Sequence, residues 1–247
     1  MPLASTAPRP AAPPHRARLR AVDVAFTPAG ARRADVTVVI DVLRATTTIV
    51  RAFEAGYRRV LCAATLDAAY ALDAPGRVLA GERRCVRPPG FALGNSPGDT
   101  DPPLGDVLVL ATTNGTPAIL RAAALSTVVL IGCLRNLEAT LDAIGDRDVQ
   151  LLCAGTDGRP SLEDTYVAGR LAQRLGGQAS DAALLAQAVA GERPDALAAG
   201  AGGRALIAAG LARDLAVCGQ ESVDATVPTV RAAAAGVATL EPLKGPR

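Results

Sequence analysis

The strongest constraint in this sequence is a unit that recurs along its middle. "ADVTVVID" reads as a strand and "TTTIVRAFEAG" as a helix, then "RRVLCAAT" as a strand and "LDAAYALDA" as a helix. "GRVLAGE" is a strand before a long loop, and "DVLVLAT", "STVVLIG" and "DVQLLCAG" are strands that lead into "TTNGTPAILRAAA", "RNLEATLDAIG" and "SLEDTYVAGRLAQRLGG". The apolar runs are short and lack the period-two alternation of a half-exposed strand. Nearly all are separated by amphipathic segments of helical length, so each run must be covered on both faces. The expectation is a three-layer α/β fold, a mainly parallel sheet with helices on both faces. Beyond about residue 178 the Ala-rich chain reads as a C-terminal helical portion, a lobe over 179–222, and residues 223–241 offer one or two further strands.

The first twenty residues are rich in Pro, Ala and Arg and are expected to form a disordered tail, with residues 21–247 as the α/β domain. They lack the apolar run of a secretory signal. With 49% hydrophobic residues the chain can bury one sizeable core. No apolar run approaches the roughly 18 residues that cross a bilayer, so no membrane partner is expected. The formal charge is +2, and four arginines sit in the tail, leaving the remainder near −2; nucleic acid is not an expected partner.

Five cysteines without a Cys-x-x-Cys pair suit a reducing cytoplasm, the expected location, better than a disulfide framework or a zinc site. The single histidine, His15, lies in the tail. A Ser-His-Asp triad and a histidine-ligated metal are therefore excluded from the folded body. Its chemistry must run on carboxylates, hydroxyls, guanidinium groups, backbone amides or a thiol.

Asp41 ends one expected strand, Glu82 follows another, "TTNGT" (112–116) a third and "GTDGRPSLED" (155–164) a fourth. In an open parallel sheet all carboxyl ends share one edge, so these stretches are expected to converge in one crevice. Each also has a structural explanation. Thr46 or Thr47 can cap a helix, Asp41 can be an ordinary strand-end carboxylate, and Ser161 with Asp164 fits a capping box. "TTNGT" fits a turn and also aims amides and hydroxyls at an anion from a helix N-terminus. The loop 81–103 is long for a compact domain; with Glu82, Arg83, Arg84, Arg87 and Asn95-Ser96 it reads as a lid over an anion.

Together "DVLRATTTI", "GER" with "GF.LGNSP" downstream, "TTNGT" and "CAGTDG..SLED...AG" resemble the 2-phosphosulfolactate phosphatase family, from about residue 35 to about residue 230. The resemblance implies an α/β fold, Mg²⁺ as cofactor, and hydrolysis of 2-phospho-3-sulfolactate to sulfolactate and phosphate, a reaction known from coenzyme M biosynthesis. Matched to those motifs, the candidate catalytic residues are Asp41, Glu82 and Glu163. The metal candidates are these three and Asp164, of which one or two suffice for Mg²⁺. The candidate substrate-binding residues are Arg44, Thr46, Thr47, Arg83, Asn95, Ser96, Thr113, Asn114, Gly115, Thr116 and Gly155. The expected partner is a small phosphorylated, sulfonated or carboxylated molecule, with self-association left open.

The chain departs from the family pattern where it carries Arg84-Cys85 in place of two glycines and Ala92 in place of an acidic residue. Two other readings stand beside this one. Cys153 and Arg159 have the Cys-x5-Arg spacing of cysteine-dependent phosphatases, although Asp157 and Pro160 fit that motif poorly. The other is a catalytically inactive anion-binding or regulatory protein on the same fold.

Overall fold

The computed structural model describes residues 19–243, so the expected tail lies outside the described residues except for Leu19 and Arg20. In chain order the elements begin with β1 (Ala21–Ala25), β2 (Val36–Ile40), α1 (Ala45–Ala55), β3 (Arg59–Ala63), α2 (Leu66–Ala71) and β4 (Arg77–Gly81). They continue with β5 (Val107–Ala111), α3 (Gly115–Ala123), β6 (Val128–Gly132), α4 (Leu137–Ile144), β7 (Val149–Cys153) and α5 (Leu162–Leu175). The C-terminal part comprises β8 (Gln178–Ala179), α6 (Asp181–Glu192), α7 (Ala196–Ala199), α8 (Ala201–Ala208), α9 (Arg213–Cys218), β9 (Pro228–Ala234) and β10 (Val237–Pro242).

All ten strands form one sheet in the order β4-β5-β3-β10-β9-β6-β2-β7-β1-β8. The apolar runs are buried on both faces, as their lack of alternation predicts. Val39 of β2, Val60 of β3 and Leu108 of β5 pack with Ile49 of α1 and Ile119 of α3 on one side. On the other, Val38 and Ile40 pack with Leu137 of α4 and Leu171 of α5, and Leu61 and Val109 pack with Ala69 of α2. Helices thus cover both faces of a mostly parallel sheet.

The convergence of strand ends has a different origin from the one expected. The block β4-β5-β3 is internally parallel, and so is β6-β2-β7-β1-β8. Between them lies the antiparallel hairpin β9–β10, which pairs antiparallel with β6 on one side and β3 on the other. The two blocks therefore run in opposite senses through the ladder, and a flat sheet would put their carboxyl ends on opposite edges. Their ends nevertheless meet, since residues that follow β2 and β7 and residues that follow β4 and β5 line one cavity. The β6–β9 ladder is reduced to the Leu130–Thr229 pair, and the β9–β10 register shifts between Thr239 and Leu240, an irregularity that adds twist.

Candidate active site

Asp41 directly follows β2 and is 7% exposed. Its Oδ1 accepts the Ala45 N–H at 3.2 Å, and its own N–H donates to Thr46 Oγ1 at 3.1 Å. Thr47 Oγ1 donates to the Val42 carbonyl at 2.8 Å and Thr48 Oγ1 to the Asn95 carbonyl at 2.9 Å. The three hydroxyls thus fix the strand-to-helix turn and tie it to the loop after β4. Thr46 and Thr47 are not part of the cavity wall, and the first amides of α1 are held by Asp41 itself.

Arg44 is also committed to the protein. Its Nη1 lies 2.6 Å from Asp214 Oδ2 and donates to Ser96 Oγ at 3.2 Å, while Ser96 Oγ donates to the same carboxylate at 2.8 Å. This buried cluster binds α9 to the start of α1. Ser96 belongs to the cluster rather than to a ligand surface.

After β4 the chain makes a two-residue reversal closed by Arg83 N–H to Val86 C=O at 2.9 Å and Val86 N–H to Arg83 C=O at 3.1 Å. Its central residues, Arg84 and Cys85, have φ of 53° and 64°. Glu82 holds this turn with Oε2, which accepts the Cys85 N–H at 3.1 Å. Its Oε1 accepts the Thr113 N–H at 3.1 Å and the Thr113 hydroxyl at 3.0 Å. Arg83 points back to the Glu82 and Ala111 carbonyls, at 2.7 and 3.3 Å, and does not reach the cavity. The rest of the expected lid is anchored to the domain by Phe91, Asn95, Ser96 and Thr100, all buried, while Val86, Arg87, Pro89, Gly90 and Ala92 between the turn and these anchors are exposed.

After β5, Thr112 Oγ1 accepts the Thr116 N–H at 3.1 Å, which leaves Thr116 behind the wall. Gly115 is required by a close approach: a Cβ on it would lie 2.5 Å from Ala45 Cβ and 2.7 Å from Asp41 Oδ2. The starts of α1 and α3 therefore meet with Asp41 between them. Asn114 Oδ1 accepts the Asp157 N–H at 3.3 Å and links the site to the loop after β7.

In that loop Gly155 has φ +65°, and a Cβ there would fall 2.3 Å from the Arg159 carbonyl. Its N–H donates to Asp164 Oδ2 at 3.1 Å, and Asp164 Oδ1 accepts the Val42 N–H at 2.9 Å. Asp164 thus joins the loops after β2 and β7. The expected capping box is not formed, because the Ser161 side chain makes no capping hydrogen bond. Glu163 is buried beneath the start of α8, where a Cβ on Gly200 or Gly202 would come within 2.0 or 2.1 Å of its carboxylate.

These loops enclose a cavity of about 320 Å³ bordered by Asp41, Arg44, Glu82, Asn95, Thr113 and Asn114 among the expected residues. Gly115, Thr116, Gly155, Glu163 and Asp164 shape it from behind. Sequence reading missed the wall that α8 supplies through Gly202, Ala205 and Leu206, and the Arg84 and Cys85 side chains that enter from the turn. Local signals are absent in α8. The sequence reading sets Arg84 among the charges of the loop over an anion and, with Cys85, as a departure from the family pattern, without a place in the cavity wall.

Burial pushes the Asp41 carboxyl up to about 7, with the Ala45 N–H opposing and the Glu82 and Glu163 charges reinforcing the rise. Burial, followed by the charge of Asp41, raises Asp164 well above the usual carboxylate range, and burial raises Glu163. Among the described residues no three His, Cys, Asp or Glu side chains are grouped to hold a metal ion. Of the four candidate carboxylates, Asp41 and Glu82 face the cavity, while Glu163 and Asp164 stand outside it. Asp41 Oδ2 faces Gly115, and the buried Asn95 Oδ1 lacks a hydrogen-bond partner. This donor set fits Mg²⁺, which needs one or two carboxylates and keeps several waters.

The sequence model of 2-phosphosulpholactate phosphatase matches residues 25–233. The chain belongs to the 2-phosphosulfolactate phosphatase family. A protein of Thermus thermophilus named probable 2-phosphosulfolactate phosphatase is 39% identical over 209 residues, covering 80% of this chain and 88% of its own. A Thermotoga petrophila protein of the same name is 36% identical, covering 85% of this chain and 95% of its own. The 2-phosphosulfolactate phosphatase of Methanothermobacter thermautotrophicus is 32% identical, covering 78% and 86%.

In this member of the 2-phosphosulfolactate phosphatase family the cysteine route has no geometric basis. Cys153 is fully buried, and burial with the Asp164 charge drives its thiol well above its ordinary value. Arg159 is exposed on a tight turn, its N–H donating to the Thr156 carbonyl at 3.0 Å, rather than in a phosphate cradle.

Proposed function

We propose that this protein is a phosphoric monoester hydrolase that acts, with Mg²⁺, on the phosphate ester of a small 2-hydroxy acid bearing further acid groups. The preferred substrate is 2-phospho-3-sulfolactate, consistent with the names of its relatives. Five free cysteines suit action in the cytoplasm.

The observation that carries the reading is the charge of the cavity. Asp41, Glu82 and Asp157 line it against one unpaired guanidinium, Arg84 at the mouth, since Arg44 is neutralised by Asp214. A polyanionic ester is repelled by such a wall unless a cation lies between them, and a pocket made only to bind anions gains nothing from these carboxylates. Asp41 through Oδ2 and Glu82 would hold Mg²⁺, with Asn95 Oδ1 accepting a hydrogen bond from a water in its shell. Bound there, Mg²⁺ would neutralise phosphoryl oxygens and acidify a water.

Thr113 and Asn114 line the cavity just ahead of α3, whose positive end would favour a phosphoryl group bound there. Glu82 fixes Thr113 through both its N–H and its hydroxyl. Hydrolysis joins a water oxygen to phosphorus and breaks the ester P–O bond. One water proton ends on the departing oxygen, which becomes the 2-hydroxyl of the product. Glu163, buried under α8, positions that wall rather than touching the reacting atoms.

Phosphate release from 2-phospho-3-sulfolactate, with Mg²⁺ and with EDTA, tests the proposal. The expected result is turnover that EDTA abolishes and Mg²⁺ restores. Release that EDTA leaves intact, or none from any phosphorylated 2-hydroxy acid, contradicts it.

A further inference from the structure

Of the four arginines on the segments that follow β2 and β4 around the cavity, three are engaged by the protein. Arg44 is paired with Asp214, Arg83 donates to the Glu82 and Ala111 carbonyls, and Arg87 donates to the Ala92 carbonyl. Arg84 alone among them makes no hydrogen bond or ion pair among the described residues, and it is exposed at the cavity wall.

The turn that presents it is unusual. Two central residues with positive φ form the kind of reversal that glycine or asparagine normally fills. Here they are Arg84 at 53° and Cys85 at 64°. The turn is held by the Arg83–Val86 pair and by Glu82 Oε2 on the Cys85 N–H. Side chains kept in a disfavoured conformation by their surroundings, and aimed into a cavity, point to a use for those side chains.

We infer that Arg84 forms an anion subsite at the mouth of the cavity, gripping the non-reacting acid group, carboxylate or sulfonate, of the phosphate ester and so selecting polyanionic substrates. The inference rests on the phosphatase reading above. A guanidinium presents a planar fork of donors that matches two oxygens of either group. With Arg44 turned to Asp214, Arg84 is the cation left to meet a second substrate charge.

Arg84→Gly is the direct test, because glycine suits the left-handed turn and removes only the side chain. Its melting temperature is expected not to fall. With Mg²⁺ present, kcat/KM for 2-phospho-3-sulfolactate should drop at least about tenfold, mostly through KM, the scale of one charge-assisted contact. Phenyl phosphate, which has no second acid group, should change less than about twofold, and Arg84→Lys should recover part of the loss. Equal losses on both esters, or no loss on either, overturn the subsite. If the unaltered protein hydrolyses neither ester, the phosphatase reading fails separately, and calorimetric titration with 2-phospho-3-sulfolactate decides the subsite. Binding about tenfold weaker in Arg84→Gly supports it, and equal binding overturns it.

Discussion

A Cβ on Gly115 would stand 2.7 Å from Asp41 Oδ2, so the start of α3 closes on the Asp41 carboxylate only because position 115 has no side chain. The same Cβ would fall 2.5 Å from Ala45 Cβ, at the first residue of α1. Gly115→Ala must push the two helix starts apart. Overpacking of this kind costs about 1–3 kcal/mol, while displacement of reacting groups by an ångström can cost about 100-fold in rate. Thermal unfolding and kcat measured together should show a modest fall in melting temperature and a much larger fall in turnover. Unchanged turnover would show that the close approach has no bearing on the chemistry.

The Arg44–Asp214 pair couples α9 to the loop that carries Asp41. Both side chains are buried, at 3% and 1% exposure. Asp214→Ala leaves a guanidinium in the interior with only Ser96, and should cost about 3–5 kcal/mol in denaturant unfolding. The double change Arg44→Met with Asp214→Leu should cost less than Asp214→Ala alone, since no unpaired charge remains. Simple addition of the two single effects would mean the pair does not act as a unit.

Cys85 is the thiol in the cavity wall, and the other four cysteines are buried. Burial pushes Cys62 up to about 12 and Cys133 up to about 11, and drives Cys153 and Cys218 up as well. Burial also raises Cys85, though it is only half-buried. A bulky alkylating reagent should therefore inactivate by filling the cavity at Cys85. Cys85→Ser should be active and resistant to the reagent. Loss of activity in Cys85→Ser itself, or its continued inactivation by the reagent, would point to a catalytic thiol instead.

Much of this architecture was legible because it is local. The largely apolar, non-alternating runs of β2, β5 and β7 declared strands buried on both faces, and the polar residues just beyond them marked the cavity. What was hidden depends on distant pairing. Nothing near "TVRAAAAGVATLEP" says that its hairpin enters the middle of the sheet, because register and neighbours are set by strands far away in sequence. Arg44 looked free to bind an anion, yet its partner is 170 residues away on α9. Thr46 and Thr47 looked like ligand donors, but the turn they sit in needed their hydroxyls.

The central claim is that the Asp41 carboxylate faces the reacting centre and holds the metal, rather than serving only to cap α1. Asp41→Asn separates the two roles, because the amide oxygen can still accept the Ala45 N–H while the charge is lost. The decisive measurement is single-turnover phosphate release from 2-phospho-3-sulfolactate by folded Asp41→Asn across a Mg²⁺ titration, set against its melting temperature. The account predicts an unchanged or higher melting temperature, weaker Mg²⁺ dependence, and a rate lower by at least about 100-fold. A mutant that melts early yet turns over at the normal rate with the normal Mg²⁺ requirement would contradict it and leave Asp41 as a helix cap.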